Sequence, residues 1–204
     1  MKKVKDCMIK MNDKIKKELK ESGNLKYRIS ESMVDEIRKI TEIIIKTYNK
    51  NKKLVVFGCG GSAADAQHIV GEFMNKFKLE RNALPAIALT TNTSTITAIG
   101  NDYDFSRVFE IQVTGLVNEN DVVIGISTSG NSEAVRKGLI KAKKMGAITV
   151  ALTGETGGKL NGLTDYILKI PSKETPRIQE CHITIAHIIC GLVEESLFGK
   201  KIMK

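Results

Sequence analysis

The chain has 204 residues, a formal net charge of +9, 42% hydrophobic and 5% aromatic content, and no tryptophan. That length suffices for one ordinary domain with a sizeable core, and the aliphatic balance suits an α/β core better than a sugar platform of stacked aromatics. The charge does not describe a nucleic-acid surface: residues 1–53 hold 16 Lys and Arg against 8 Asp and Glu, while the other 151 hold 16 against 15, and lysines interleaved with acids on helix-like sequence mark a solvated face.

The N-terminal stretch MKKVKDCMIKMNDKIKK is basic but lacks an apolar run, so it does not read as a signal peptide. No run reaches membrane-spanning length. Cys7, Cys59, Cys181 and Cys190 form no CxxC pair, so reduced thiols in a cytoplasmic protein are the simplest account. Residues 1–22 predict an amphipathic helix whose apolar face is Met8, Met11, Ile15 and Leu19, with Ser22-Gly23-Asn24 breaking it. A second helix is predicted from about Ser30 to Tyr48, with Met33, Ile37, Ile40, Ile44 and Ile45 as its face.

From Leu54 the pattern alternates. Strands are predicted at Leu54–Phe57, Ala86–Leu89, Val122–Ile126, Ile148–Leu152 and Tyr166–Ile170, and helices at Ala63–Phe77, Thr95–Ile99, Asn131–Met145 and Ile178–Phe198. Near-continuous apolar strands separated by helices indicate an α/β fold: a parallel five-stranded sheet covered on both faces, a three-layer αβα sandwich preceded by N-terminal helices. We read one domain overall, with helices over 1–53 packing on the core or on a neighbouring subunit and the α/β core over 54–204. Ligands of such sheets bind beyond the carboxyl ends of the strands, so the informative loops follow the strands.

The first of these is Gly58 to Phe77, GCGGSAADAQHIVGEFMNKF. Its glycines permit a tight turn and close approach to a ligand, Ser62 is a candidate N-cap, and helix-start N–H groups attract anions. His68 and Glu72 are four apart, on one helical face. The plain alternative is a glycine-rich turn into a buried helix on which His and Glu happen to align. After the third strand, Ser127-Thr128-Ser129-Gly130-Asn131-Ser132 places four hydroxyls in six residues before a helix. Without GxxxxGK[ST] spacing it is not a P-loop, and a phosphate site with no Lys or Arg suits a sugar monophosphate; an ordinary N-cap would need only one of those hydroxyls. Asn101 and Asp102 follow a threonine-rich segment and suit sugar hydroxyls or simply a turn. On the last helix Gln179 and His187 lie about two turns apart on one side, whereas His182 points elsewhere. His187 becomes interesting only where it meets His68 and Glu72 in space.

Together these stretches resemble the bacterial phosphoheptose isomerases of the sugar isomerase (SIS) superfamily, over about residues 30–200. The resemblance rests on GxGGSAADAQHxxxE at Gly58–Glu72, GND at Gly100–Asp102, GISTSGNS at Gly125–Ser132 and RIQExHxxxxH at Arg177–His187. It implies a homotetramer with active sites between subunits, and one Zn²⁺ per subunit held by His68, Glu72, Gln179 and His187. Substrate contacts implied by it are Cys59, Gly60, Gly61, Ser62, Glu72, Asn101, Asp102, Ser127, Thr128, Ser129, Ser132 and Gln179. The implied reaction converts D-sedoheptulose 7-phosphate to D-glycero-D-manno-heptose 7-phosphate, the first step toward nucleotide-activated heptose for lipopolysaccharide, capsule or surface glycans. Glu72 would be the base at carbon and His187 the partner moving protons on oxygen. Cys59 departs from the family's usual Asn, Lys76 stands where some members have Arg, and the first 25 or so residues are a longer, more basic lead. The alternative is a non-catalytic SIS-fold binding protein, a replication-initiator partner or sugar-phosphate sensor, which needs the fold but no acid/base pair.

Overall fold

The computed structural model describes residues 2–199, with side chains from Met8 onward; the side chains of residues 2–7, Cys7 among them, and residues 1 and 200–204 lie outside the described part. Helices α1 (Lys2–Ser32) and α2 (Val34–Asn49) lead into β1 (Leu54–Gly58), α3 (Gly61–Met74), β2 (Ala86–Ala88), α4 (Thr93–Asp102), α5 (Val108–Leu116), β3 (Val122–Ile126), α6 (Glu133–Lys144), β4 (Ile148–Gly154), β5 (Tyr166–Ile170) and α7 (Thr175–Phe198). The five strands form one parallel sheet in the order β2-β1-β3-β4-β5. Strand side chains alternate between faces. Leu54, Val56, Ile124, Ile126, Leu152 and Leu168 pack under α1, α2, α3 and α7, while Val55, Phe57, Val123 and Ala151 pack under α4, α5 and α6. The result is the expected αβα sandwich.

Three features of the helices bear on the sequence reading. First, α1 does not break at Ser22-Gly23-Asn24 but runs through them. A mid-helix glycine costs about 1 kcal/mol, and the buried Leu25 and Ile29 just beyond it return about 1.5–3 kcal/mol each. Arg177 also donates to the Glu18 carbonyl at 2.8 Å, tying α7 to α1 on the near side of the glycine. The helix hands over to α2 at Met33, one residue past Ser32. Second, the expected apolar face of α1 is uncovered within the protomer: Met8, Met11, Ile15 and Leu19 are all exposed. Third, α7 is long and apolar enough by length and composition to cross a bilayer. Here it is a core helix whose Ile178, Cys181, Ile185, Ile189 and Val193 are buried among the residues of α2, α3 and the sheet.

Candidate active site

The sheet order reverses between β1 and β3, since α3 leaves β1 over one face and α6 leaves β3 over the other. Such a switch point opens a crevice at the carboxyl ends of the two strands. The two candidate loops meet there, the Cys59 Sγ lying 3.8 Å from the Ser132 Oγ. Burial pushes the Cys59 thiol up from its ordinary range, and the contact with Ser132 offsets part of that. Gly60 caps α3 at φ 62°, and Ser62 is not the N-cap but sits buried inside the first turn. The reason is space: Ser62 packs against Gly58, where a Cβ would collide with it. At Gly61 a Cβ would collide with the side-chain amide of Gln179, so the start of α7 docks on this turn because the residue there is glycine.

On the Ser-rich loop, Gly130 has φ +66° and its missing Cβ makes room for the Gly157 backbone. Gly154 N–H donates to the Thr128 carbonyl at 2.8 Å, and Lys159 N–H donates to Asn131 Oδ1 at 3.1 Å, so the turn after β4 braces the loop. Ser132 caps α6 by accepting from Val135 N–H at 3.5 Å. Ser127 Oγ accepts from Ser132 N–H at 3.4 Å, and Ser129 Oγ accepts from Asn131 N–H at 3.2 Å. Among the described residues, the hydroxyls of Ser127, Thr128 and Ser129 donate to no protein acceptor. One hydroxyl thus does the capping, and three hydroxyl protons remain for an anionic ligand.

The third group lies farther along α3. His68 Nε2 is 3.0 Å from Glu72 Oε1, His187 Nε2 is 3.2 Å from His68 Nε2, and His187 Nε2 is 3.8 Å from Glu72 Oε1. The three ligand-type atoms lie within 4.8 Å of one another. The Phe77 ring stacks on His187 at 5.7 Å and 17°. Two imidazole nitrogens and a carboxylate oxygen converging on each other fit a divalent cation, because neutral imidazoles hold too few protons at Nε2 to satisfy all three pairs. Gln179, the fourth expected ligand, is seated at Gly61, about two turns of α3 from His68. His182 is the core histidine of α7. It is fully buried, with Nε2 at 3.2 Å from the Thr153 carbonyl, and burial lowers its pKa to about 4.

Asn101 and Asp102 occupy the last turn of α4 rather than a loop, with Asn101 Nδ2 donating to Asp102 Oδ1 at 2.8 Å, and both are exposed. Lys76 pairs at the surface with Glu80 at 2.6 Å. Sequence reasoning missed Phe77 on His187, and it missed Glu194 on α7, which is 1% exposed and paired with Arg81 at 2.8 Å. An acid in an otherwise apolar run, seven residues beyond His187 and so on the same helical side, where its neighbour Glu195 is not, was the available signal.

A family model described as SIS domain matches residues 19–154. A phosphoheptose isomerase from Clostridium acetobutylicum is 48% identical over 194 residues, covering 94% of this chain and 99% of that one. One from Aneurinibacillus thermoaerophilus is 51% identical over 193 residues, covering 94% and 98%. Among solved structures, a phosphoheptose isomerase from Neisseria gonorrhoeae superposes with a TM-score of 0.86 at 37% identity, covering 91% of this chain and 99% of that one.

Proposed function

Because the chain belongs to the SIS-domain phosphoheptose isomerases, we propose that His68, Glu72 and His187 are its reaction centre and the Ser127–Ser132 loop its phosphate seat. The enzyme is a ketose–aldose isomerase acting on D-sedoheptulose 7-phosphate. The observation that carries the site assignment is the convergence of Glu72 and His187, from helices 115 positions apart, at 3.8 Å.

The reaction is an internal redox exchange: C1 goes from hydroxymethyl to aldehyde while C2 goes from ketone to carbinol. Glu72 takes a proton from C1 of the open-chain ketose, and the electron pair moves into a C1–C2 enediolate. The same carboxyl returns the proton to C2. His187 Nε2 passes the hydroxyl proton between the oxygens on C1 and C2, so no charge is left uncompensated. Phe77 fixes the imidazole plane. The donor hydroxyls of Ser127, Thr128 and Ser129 and the N-terminus of α6 hold the phosphate, with Ser132 and Cys59 lining the same crevice. Gly60, Gly61, Ser62, Asn101, Asp102 and Gln179 complete the substrate contacts in this reading.

We place one Zn²⁺ per subunit on His68, Glu72 and His187. Gln179, seated at Gly61 about two turns of α3 away, is left to the substrate contacts. Glu72 and His187 would carry protons only when released from the metal, because a lone pair held by a metal cannot accept one. Bound there, the ion would polarise the substrate oxygens as a Lewis acid. The assembly is a homotetramer with sites between subunits, in line with the uncovered apolar face of α1, and 1–53 and 54–204 are its helical lead and α/β core. Cytoplasmic placement accords with the free thiols of Cys59, Cys181 and Cys190.

The test is product formation from sedoheptulose 7-phosphate, followed by NMR, with chelator and with zinc restored. Appearance of an aldoheptose phosphate that is lost on chelation and recovered with zinc supports both assignments. Turnover indifferent to chelator removes the metal, and no turnover in any condition removes the reaction.

A further inference from the structure

A buried ion pair lies behind the reaction centre and touches both halves of it. Glu194 sits on α7 two turns beyond His187, and Arg81 sits in the segment after α3; their side chains are each 1% exposed and 2.8 Å apart. The Glu194 carboxylate accepts from the backbone N–H groups of Phe77 at 2.9 Å, Lys78 at 2.7 Å and Leu79 at 2.9 Å. It therefore holds the backbone of the residue whose ring covers His187. Arg81 Nη2 donates to the Glu72 carbonyl at 2.8 Å, and its Nη1 donates to the Phe73 carbonyl at 2.9 Å and the Asn82 carbonyl at 3.0 Å. The guanidinium thus grips the last turn of α3 at the backbone of Glu72 itself.

We propose that Arg81 and Glu194 are positioning residues for the isomerisation, a brace that sets the spacing of α3 against α7 and so the Glu72–His187 geometry and the seat of Phe77. Stability alone does not account for this arrangement. A buried ion pair is commonly matched or bettered by apolar residues of similar volume. Yet apart from the Asn82 carbonyl every hydrogen bond the pair makes outside itself goes to backbone at residues 72–73 or 77–79, the ends of the segment that carries Glu72 and Phe77. Planarity matters as well: three different guanidinium nitrogens serve Glu194, Glu72 and Phe73 at once, which an ammonium cannot reproduce.

The proposal rests on the reaction centre assigned above, and the test separates the two. Arg81→Lys and the apolar double variant Arg81→Met/Glu194→Met are compared with Asp121→Asn. Asp121 makes a buried pair with Lys53 at 2.6 Å, before β3 and so at the opposite end of the sheet from the site, and it serves as a control for lost stability. Each brace variant is expected to lower kcat about a hundredfold with KM within about threefold of wild type, whereas Asp121→Asn keeps kcat at a similar loss of melting temperature. The chain's three histidines give a readout independent of substrate. The ring-proton resonance of His187 shifts as Phe77 leaves it, while that of His182, bonded to Thr153, stays and reports the intact core.

Unchanged kcat and an unmoved His187 resonance in a folded brace variant overturn the proposal. So does loss of fold in both brace variants, which would make the pair purely structural. If wild-type protein fails on sedoheptulose 7-phosphate, the reaction assignment falls, and the histidine resonances still decide the brace.

Discussion

Glu72 is the residue on which the proposed chemistry turns. It is partly exposed, takes its place 3.0 Å from His68, and is the one carboxylate in the three-residue cluster. Glu72→Gln keeps the shape and removes the proton acceptor. Turnover should fall about 10³-fold or more while the melting temperature stays within a few degrees, measured on the same preparation. Activity near wild type would eliminate Glu72 as the base. His182 supplies a different test, in stability. Its folded pKa of about 4 lies below the ordinary 6.5, so between those values the unfolded chain binds a proton that the folded chain refuses. Its contribution is complete above pH 6.5 and is lost as pH falls toward 4, by about 3 kcal/mol in total. Urea midpoints across that window should fall less steeply for His182→Gln, which keeps a donor for the Thr153 carbonyl. Parallel curves would refute the assignment.

At the scale of elements, the Ser-rich loop is shaped by the turn beside it. Gly130 combines a left-handed backbone with a Cβ position filled by Gly157. Gly130→Ala should raise KM for the sugar phosphate about tenfold and cost about 1–3 kcal/mol of stability, with kcat less affected. An unchanged KM would remove the loop from substrate binding. All five strands were legible because each is a short β-branched or aliphatic run between turn residues. Helix α5 was not, because its sequence VFEIQVTGL is rich in strand formers. It is helical because Val108, Phe109 and Val113 bury on one side of a helix in the cluster with Val135 and Leu139 of α6. The site was half legible. The His68–Glu72 spacing and the Ser loop are local in sequence, whereas His187 joins His68 across 119 positions and Arg81 joins Glu194 across 113. Local periodicity carries no information about such pairings, and only the packing of α7 on α3 brings them together.

The whole molecule presents a surface that one protomer does not cover. Beyond Met8, Met11, Ile15 and Leu19 on α1, the residues Val34, Ile188 and Leu192 are each more than two-fifths exposed. They stand around a groove between α1, α2 and α7 that Ile29, Ile37, Cys181 and Ile185 also line. Scattered apolar residues on a surface need no explanation, but a contiguous patch of this kind usually marks an interface. Ile188 is also the immediate neighbour of His187, so an assembly that covers it reaches the edge of the reaction centre. Burying one such side chain contributes about 1.5–3 kcal/mol, and a charge there opposes burial more strongly still. Ile188→Asp with Leu192→Asp should therefore shift the proposed tetramer to smaller species in light scattering at micromolar concentration, and turnover should fall with it. Leu19→Asp tests the α1 face separately. Across a two-fold α1–α1 contact the same patch would lie on both chains, so one substitution per chain would put a charge into each side of it. A tetramer unchanged in mass by all three substitutions would place the subunit interfaces elsewhere and leave the α7 groove open to solvent.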